Sequence, residues 1–269
     1  MIIIKRLFAE KILRYNENAG RFIMMLKRVP GIGKGVYTQV VDNGNNILKH
    51  IIGVLVQLVL LGWEFVKKLL FLIAFVWLPY RILANDCPLI AEQRTLTLMF
   101  LFFLICTVAG SIVNSVICVV DKRDYFMTRV VLISPAINSL GKVMYRMVTD
   151  FAFFALALYV IKLPMHVCLL LSLITMFARP IGEVLVVLMY EKARLLYNNR
   201  GAVFGTVMAV SLMAGYGVLY MTRTVSVFWH ILVTPVFVIA IVVLGIISFL
   251  VLCNYRNYAG IVKDAIATK

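Results

Sequence analysis

The residues of this chain best placed to do chemistry lie in one short string, Arg179-Pro180-Ile181-Gly182-Glu183, set inside an apolar run. Arg179 and Glu183 stand four apart, so a helix puts both on one face. An ionised side chain in hydrocarbon is expensive, and it normally faces a bundle interior or a wet cavity with a partner. Pro180 removes a backbone donor, frees a carbonyl and permits a kink. The pair is therefore expected to line a path, to clamp helices together, or to sit near an interface.

Other chemistry is scarce. Val29-Pro30-Gly31-Ile32-Gly33-Lys34-Gly35 superficially suggests a phosphate-binding loop. Arg28 stands where the first glycine of that motif belongs, however, and Gly35 stands where Ser or Thr must follow the lysine. The Pro-Gly-Ile-Gly-Lys string also looks like the turn of a helix-hairpin-helix DNA-binding module, but a membrane surface is the simpler home for it, and no nucleic-acid partner is expected. Physically it is a helix breaker between two amphipathic stretches, Phe8 to Leu26 and Val36 to Leu48. Of five cysteines, Cys106, Cys118, Cys168 and Cys253 fall in apolar runs, where a thiol behaves as a small hydrophobe. Cys87 stands alone. His50, His166 and His230 are scattered. No Ser/His/Asp set, carboxylate pair or metal-ligand spacing is present, so no enzymatic activity, cofactor or metal is expected on this chain.

The elements that must position Arg179 and Glu183 follow from composition. The chain of 269 residues is 63% hydrophobic and 14% charged, with mean hydropathy +0.98 and formal net charge +15. Six apolar runs approach the ~20 residues that a helix needs to cross a bilayer. They are about Leu69 to Leu83, Leu96 to Val120, Met147 to Leu163, Met165 to Met189, Ala202 to Tyr220 and Phe228 to Cys253. The alternation of a membrane β-strand is absent, so the fold expected is all-α and polytopic.

Of 27 Lys and Arg, nine precede the first span, from Lys5 to Lys49, and five lie between spans two and three, from Lys122 to Arg146. Lys192, Arg194 and Arg200 follow span four, and Arg256, Lys263 and Lys269 follow span six. The opposite side holds Arg81, Arg94, Lys162 and Arg223. Lys67, Lys68 and Arg179 lie within or beside spans. This asymmetry places both termini in the cytoplasm and the loops near Asp86, Lys162 and Arg223 outside. The domain plan is a basic interfacial segment 1–50, a six-helix membrane domain 51–253 and a cytoplasmic tail 254–269. Lys67 and Lys68 are expected to snorkel to headgroups. Met1 to Glu10 lacks the apolar stretch and cleavage site of a signal peptide, so the first span is expected to direct insertion. Small residues at Gly201, Gly205, Gly215 and Gly217 are expected to let helices approach closely.

The loop 121–142 is the richest cytoplasmic element. It reads Asp121-Lys122-Arg123-Asp124-Tyr125-Phe126, then an apolar patch ending at Ile133, then Ser134-Pro135-Ala136-Ile137-Asn138-Ser139-Leu140-Gly141-Lys142. Ser134 before Pro135 is a helix start. Such a segment either presents a short helix to a soluble partner or lies on headgroups.

Leu98 through Phe151, with Asp121 to Tyr125, Ser134-Pro135 and Lys142 to Tyr145, resembles the permease subunits of type-2 ABC exporters, especially those that move bacteriocin-like peptides and other toxic amphiphiles. Lys27 to Tyr37 and Tyr190-Glu191-Lys192 resemble the same group. The resemblance implies an N-terminal interfacial helix, six spans with both ends inside, and a place in the bacterial cytoplasmic membrane. It implies a dimer with a second permease subunit and a separate ATP-binding subunit. That partner would dock on a coupling helix in the loop between spans two and three, within Asp124 to Ser139, through Tyr125, Phe126, Ile133, Ser134, Pro135, Ile137 and Asn138. A second reading is a membrane-resident immunity or accessory protein that binds a toxin or partner without transport.

Overall fold

The computed structural model describes residues 46–117, 134–222, 232 and 234–267. The segment carrying Tyr125, Phe126 and Ile133 lies outside the described residues, as do the amphipathic stretch 8–26, most of 36–48 and the region around Arg223. All regular structure among the described residues is helical. The chain divides into two units, Met1–Lys67 and Lys68–Lys269. The described part of the first is helical, with the Lys67 ammonium 5.6 Å from the Trp63 ring.

Helical residues run through α1 (Asn46–Leu72), a π-helical turn (Ile73–Trp77) and α2 (Leu78–Asp86). A short α3 (Pro88–Glu92) follows. Five later helices are long and apolar enough to cross a membrane: α4 (Arg94–Val113), α5 (Pro135–Val160), α6 (Met165–Lys192), α8 (Arg200–Met221) and α9 (Pro235–Asn254). Between them lies α7 (Arg194–Asn198), and α10 (Tyr258–Ala267) closes the chain. The described residues are thus all-helical, and the five apolar helices make the chain a multi-pass membrane protein. The expected first span, 69–83, falls within helical residues but is not one of these five.

Local signals explain where the helix boundaries depart from hydropathy. Helix α5 begins at Pro135, twelve residues before the expected span, because Ser134-Pro135 starts a helix while hydropathy reports only its apolar part. Proline fits the first helical position, where no amide partner is needed. Ser134 caps with its backbone, its carbonyl accepting from the Asn138 N–H at 3.1 Å, and its side chain makes no capping bond. Helix α9 likewise starts at Pro235, later than expected. Pro180 stays inside α6, which remains helical to Lys192. The turn between α5 and α6 closes through Lys162 at φ 64, a left-handed conformation usually given to glycine at a helix end.

Helix α6 is the axis of the bundle, packed against α4, α5 and α9. Its most apolar stretch is 61% buried and that of α4 67%, against 17% for α8 and 11% for α9. Arg179 and Glu183 of α6 therefore lie inside protein, and α8 and α9 carry the faces left for lipid. Close approach is set by two glycines that the sequence pattern did not single out. A Cβ on Gly182 would lie 2.3 Å from the Ser111 carbonyl oxygen of α4, and one on Gly245 2.5 Å from the Phe177 carbonyl oxygen of α6. Gly201, Gly205 and Gly217 have open space where a Cβ would stand, so the expected packing role does not fall to them within this chain; a Cβ on Gly215 would lie 3.4 Å from Leu101, an ordinary contact.

One end of the bundle gathers Ile117 after α4, Leu140 and Val143 of α5, Val186 and Tyr190 of α6, Leu252 of α9, and Tyr258 and Ile261 of α10 in a single apolar cluster. The tail is therefore a packed helix. Tyr258 Oη donates to Leu252 O at 2.7 Å, Tyr190 Oη donates to Asp264 at 2.9 Å, and Arg194 bonds the same carboxylate. The α5–α6 turn lies at the opposite end, where the Arg94 guanidinium donates to Ile161 O at 2.8 Å.

Candidate functional site

Arg179 and Glu183 are 4% and 0% exposed, so each must have its charge answered by protein. Their direct bonds, however, go to other groups than each other. Arg179 Nη2 lies 3.1 Å from Asp150 Oδ2 of α5, and its Nη1 donates to Gly110 O of α4 at 2.7 Å. The other oxygen of Asp150, itself 3% exposed, meets the Lys68 ammonium at 2.7 Å. Asp150 thus bridges two cations from two other helices. The Lys68 ammonium also stands 4.7 Å from the Phe153 ring and 5.8 Å from the Phe154 ring, as a desolvated cation favours. Instead of snorkelling outward, Lys68 turns into this network.

Glu183 has a different task. Its Oε1 accepts from Val116 N–H at 2.6 Å, and its Oε2 accepts from Ser115 Oγ at 2.6 Å and Ile117 N–H at 3.2 Å. Two successive backbone amides and a hydroxyl form an anion-binding turn around the carboxylate. This explains why α4 ends at Val113, well short of the expected Val120. Amides that would have continued the helix are directed at Glu183, and Asn114 turns out of helical geometry at φ −93, ψ 29. The glycine between the two charges completes the arrangement, since Gly182 lets α6 approach Ser111 closely enough for Glu183 to reach this turn.

The expected Arg179–Glu183 pair is thus replaced by two separate contacts. The physical reason is desolvation. A buried ion needs several directed partners, and an arginine one turn away offers a carboxylate less than a ring of donors built for it. Lys68 and Arg179 thus share one carboxylate, while Glu183 is held by donors of its own. A π-helical segment of α4, Phe103–Ala109, leads directly to Gly110, whose carbonyl receives Arg179. Irregular turns of this kind often mark functional places in helices. Thr107 and Thr175 close the contact between α4 and α6 with a hydroxyl–hydroxyl bond of 2.8 Å.

The expected partner-docking residues are only partly described. Ser134 is exposed, Pro135 and Ile137 are half-buried and Asn138 is 5% exposed. They form the first turn of α5, so this part of the loop is no separate helix but the leading end of a membrane-spanning one. Sequence reasoning missed Asp150, the sole acidic residue of the run 147–163, although that isolation was itself a signal. It missed Gly110 because a backbone carbonyl leaves no mark in composition, and Ser115 because one hydroxyl among many does not stand out. Among the described residues no group of three or more His, Cys, Asp or Glu could hold a metal ion.

No family model, curated protein or solved structure matches the chain. The functional reading therefore rests on the residues and their geometry.

Proposed function

We propose that the chain is the membrane-spanning permease subunit of an ATP-driven exporter of the type-2 ABC kind, acting on an amphiphilic substrate. A sixth span around 69–83 and cytoplasmic termini belong to this reading, as do a second permease subunit and the bacterial cytoplasmic membrane. A separate ATP-binding subunit docks on 125–138 and supplies the hydrolysis.

The observation that carries the proposal is the continuity of α5. The residues expected to meet the partner, Ser134 to Asn138, lie on the same unbroken helix as Asp150. Asn138 and Asp150 are twelve residues apart, about 18 Å of helix at 1.5 Å per residue. A helix of that length transmits displacement as a rod. Force applied at its leading end reaches the carboxylate that holds Arg179 in α6 and Lys68. Arg179 in turn grips α4 through Gly110 O. A push from outside the membrane would thus be felt by three other elements through charged contacts, which exchange partners between discrete arrangements more readily than they stretch.

The test is ATPase coupling in reconstituted membranes. Ile133→Lys and Ile137→Lys should insert normally and lose the acceleration of partner ATP hydrolysis that the unmodified chain gives. Full acceleration by both variants would refute the docking assignment.

A further inference from the structure

At the opposite end of the bundle lies a cavity of ≈ 520 Å³ that this transport reading does not use. Its walls include Trp77, Tyr80, Arg81, Arg94, Ile161 and Lys162. Three of those six residues are cations and none is a carboxylate. Among the described residues no acidic group forms an ion pair with Arg81, Arg94 or Lys162. This contrasts with the interior, where each buried charge has an opposite partner or a ring of donors. Three like charges around one partly apolar cavity repel one another unless an anion joins them.

We propose that this cavity binds the phosphate headgroup of an anionic phospholipid. The fold positions the guanidinium groups of Arg94 and Arg81 and the backbone of Lys162. Arg94 is anchored by one nitrogen on Ile161 O at 2.8 Å, which leaves most of its five N–H donors for an anion. Arg81 lies over the Trp77 ring at 5.3 Å. Lys162 occupies the left-handed position at the end of α5, where its N–H donates to Tyr159 O at 2.9 Å. Glycine takes that conformation without strain. A lysine there keeps a charge at the cavity wall at the expense of local backbone energy, the pattern of a strained residue retained at a binding place.

The location favours a lipid over a free ion. The cavity sits where α4 begins and α5 ends, the depth at which two spans leave hydrocarbon and headgroups lie. Trp77 and Tyr80 are the amphipathic rings that favour this depth, and Ile73 and Val160 supply an apolar wall for the first carbons of an acyl chain. Basic pockets between spans take anionic headgroups on the cytoplasmic side of membranes, and the same charge chemistry is open to a headgroup of the outer leaflet here.

The experiment is native mass spectrometry of the full chain released from nanodiscs containing phosphatidylglycerol or phosphatidylcholine, with inorganic phosphate as a third arm. The unmodified chain should retain phosphatidylglycerol in preference to phosphatidylcholine, and millimolar phosphate should neither bind nor displace it. Arg81→Gln and Lys162→Gly should each weaken retention about tenfold, the effect of losing one charge-assisted contact. Lys192→Gln, at the far end, should leave retention unchanged and so controls for overall charge. Lys162→Gly also separates binding from folding, because relief of the left-handed strain should keep the melting temperature equal or raise it. Equal retention of the two lipids, or retention unchanged in both cavity variants, would overturn the proposal. Displacement of the lipid by inorganic phosphate would overturn the lipid assignment in favour of a free-phosphate site.

Discussion

Removing the Asp150 carboxylate should damage this protein more than removing either cation that it holds. Asp150→Leu leaves Arg179 and Lys68 facing one another with no anion between them. Breaking a buried ion pair from one side costs about 3–5 kcal/mol. For a domain of this size that corresponds to a fall in melting temperature of roughly 6–20 °C. Arg179→Met should be milder, since Asp150 keeps Lys68 at 2.7 Å. In the double variant only Lys68 remains, and its side chain at 13% exposure is the member of the set nearest to escaping the interior. The double variant should therefore be less destabilised than the sum of the singles, by about 1–3 kcal/mol. The assay is thermal unfolding in mild detergent over the four corners of the cycle. A parallel cycle of Arg179→Met and Glu183→Gln should couple less than the cycle of Asp150 and Arg179, because those two residues make no direct contact and share no hydrogen-bond partner. Additivity for Asp150 and Arg179, with strong coupling between Arg179 and Glu183, would refute the network as described.

Three further outcomes follow from the same contacts. Gly182→Ala should destabilise by about 1–3 kcal/mol, since the new methyl meets the Ser111 backbone, while Gly205→Ala should stay within about 0.5 kcal/mol; equal melting temperatures would contradict the close approach. In a cysteine-free background, Glu92→Cys should react with an impermeant thiol reagent applied to intact cells, and Asn198→Cys only after permeabilisation; the reverse would invert the topology. Amides of 258–267 should exchange slowly with solvent deuterium and speed up in Tyr258→Phe, which loses the bond to Leu252 O; fast exchange in the unmodified protein would mean that the tail is not docked.

What the sequence made legible was set by periodicity and charge. Lengths of apolar run located five membrane-spanning helices, and the Ser134-Pro135 signal located the start of α5 better than hydropathy did. Arg179 and Glu183 were visible because an ion in an apolar run stands out. Their partners were not, because partner choice depends on how helices far apart in sequence are placed. Asp150 lies 29 positions from Arg179, and Gly110 contributes only a carbonyl that every residue has. Small-residue patterns misled for a related reason. Four-residue spacing shows where a helix could be approached, whereas Gly182 and Gly245 are where α4 and α6 arrive. The stretch 254–269 read only as a tail, and its folding against α6 and α7 depends on Tyr190, Glu191 and Arg194, more than sixty residues earlier.

In the function we propose, an ATP-binding subunit grips the leading end of α5. The most direct measurement is purification of the tagged chain from its own membranes in mild detergent, with the associated proteins identified by mass spectrometry. A P-loop ATP-binding protein should be recovered in near-stoichiometric amount with the unmodified chain and be lost with Ile137→Lys at equal membrane yield. Recovery of no such protein, or its equal recovery with Ile137→Lys, would contradict the claim.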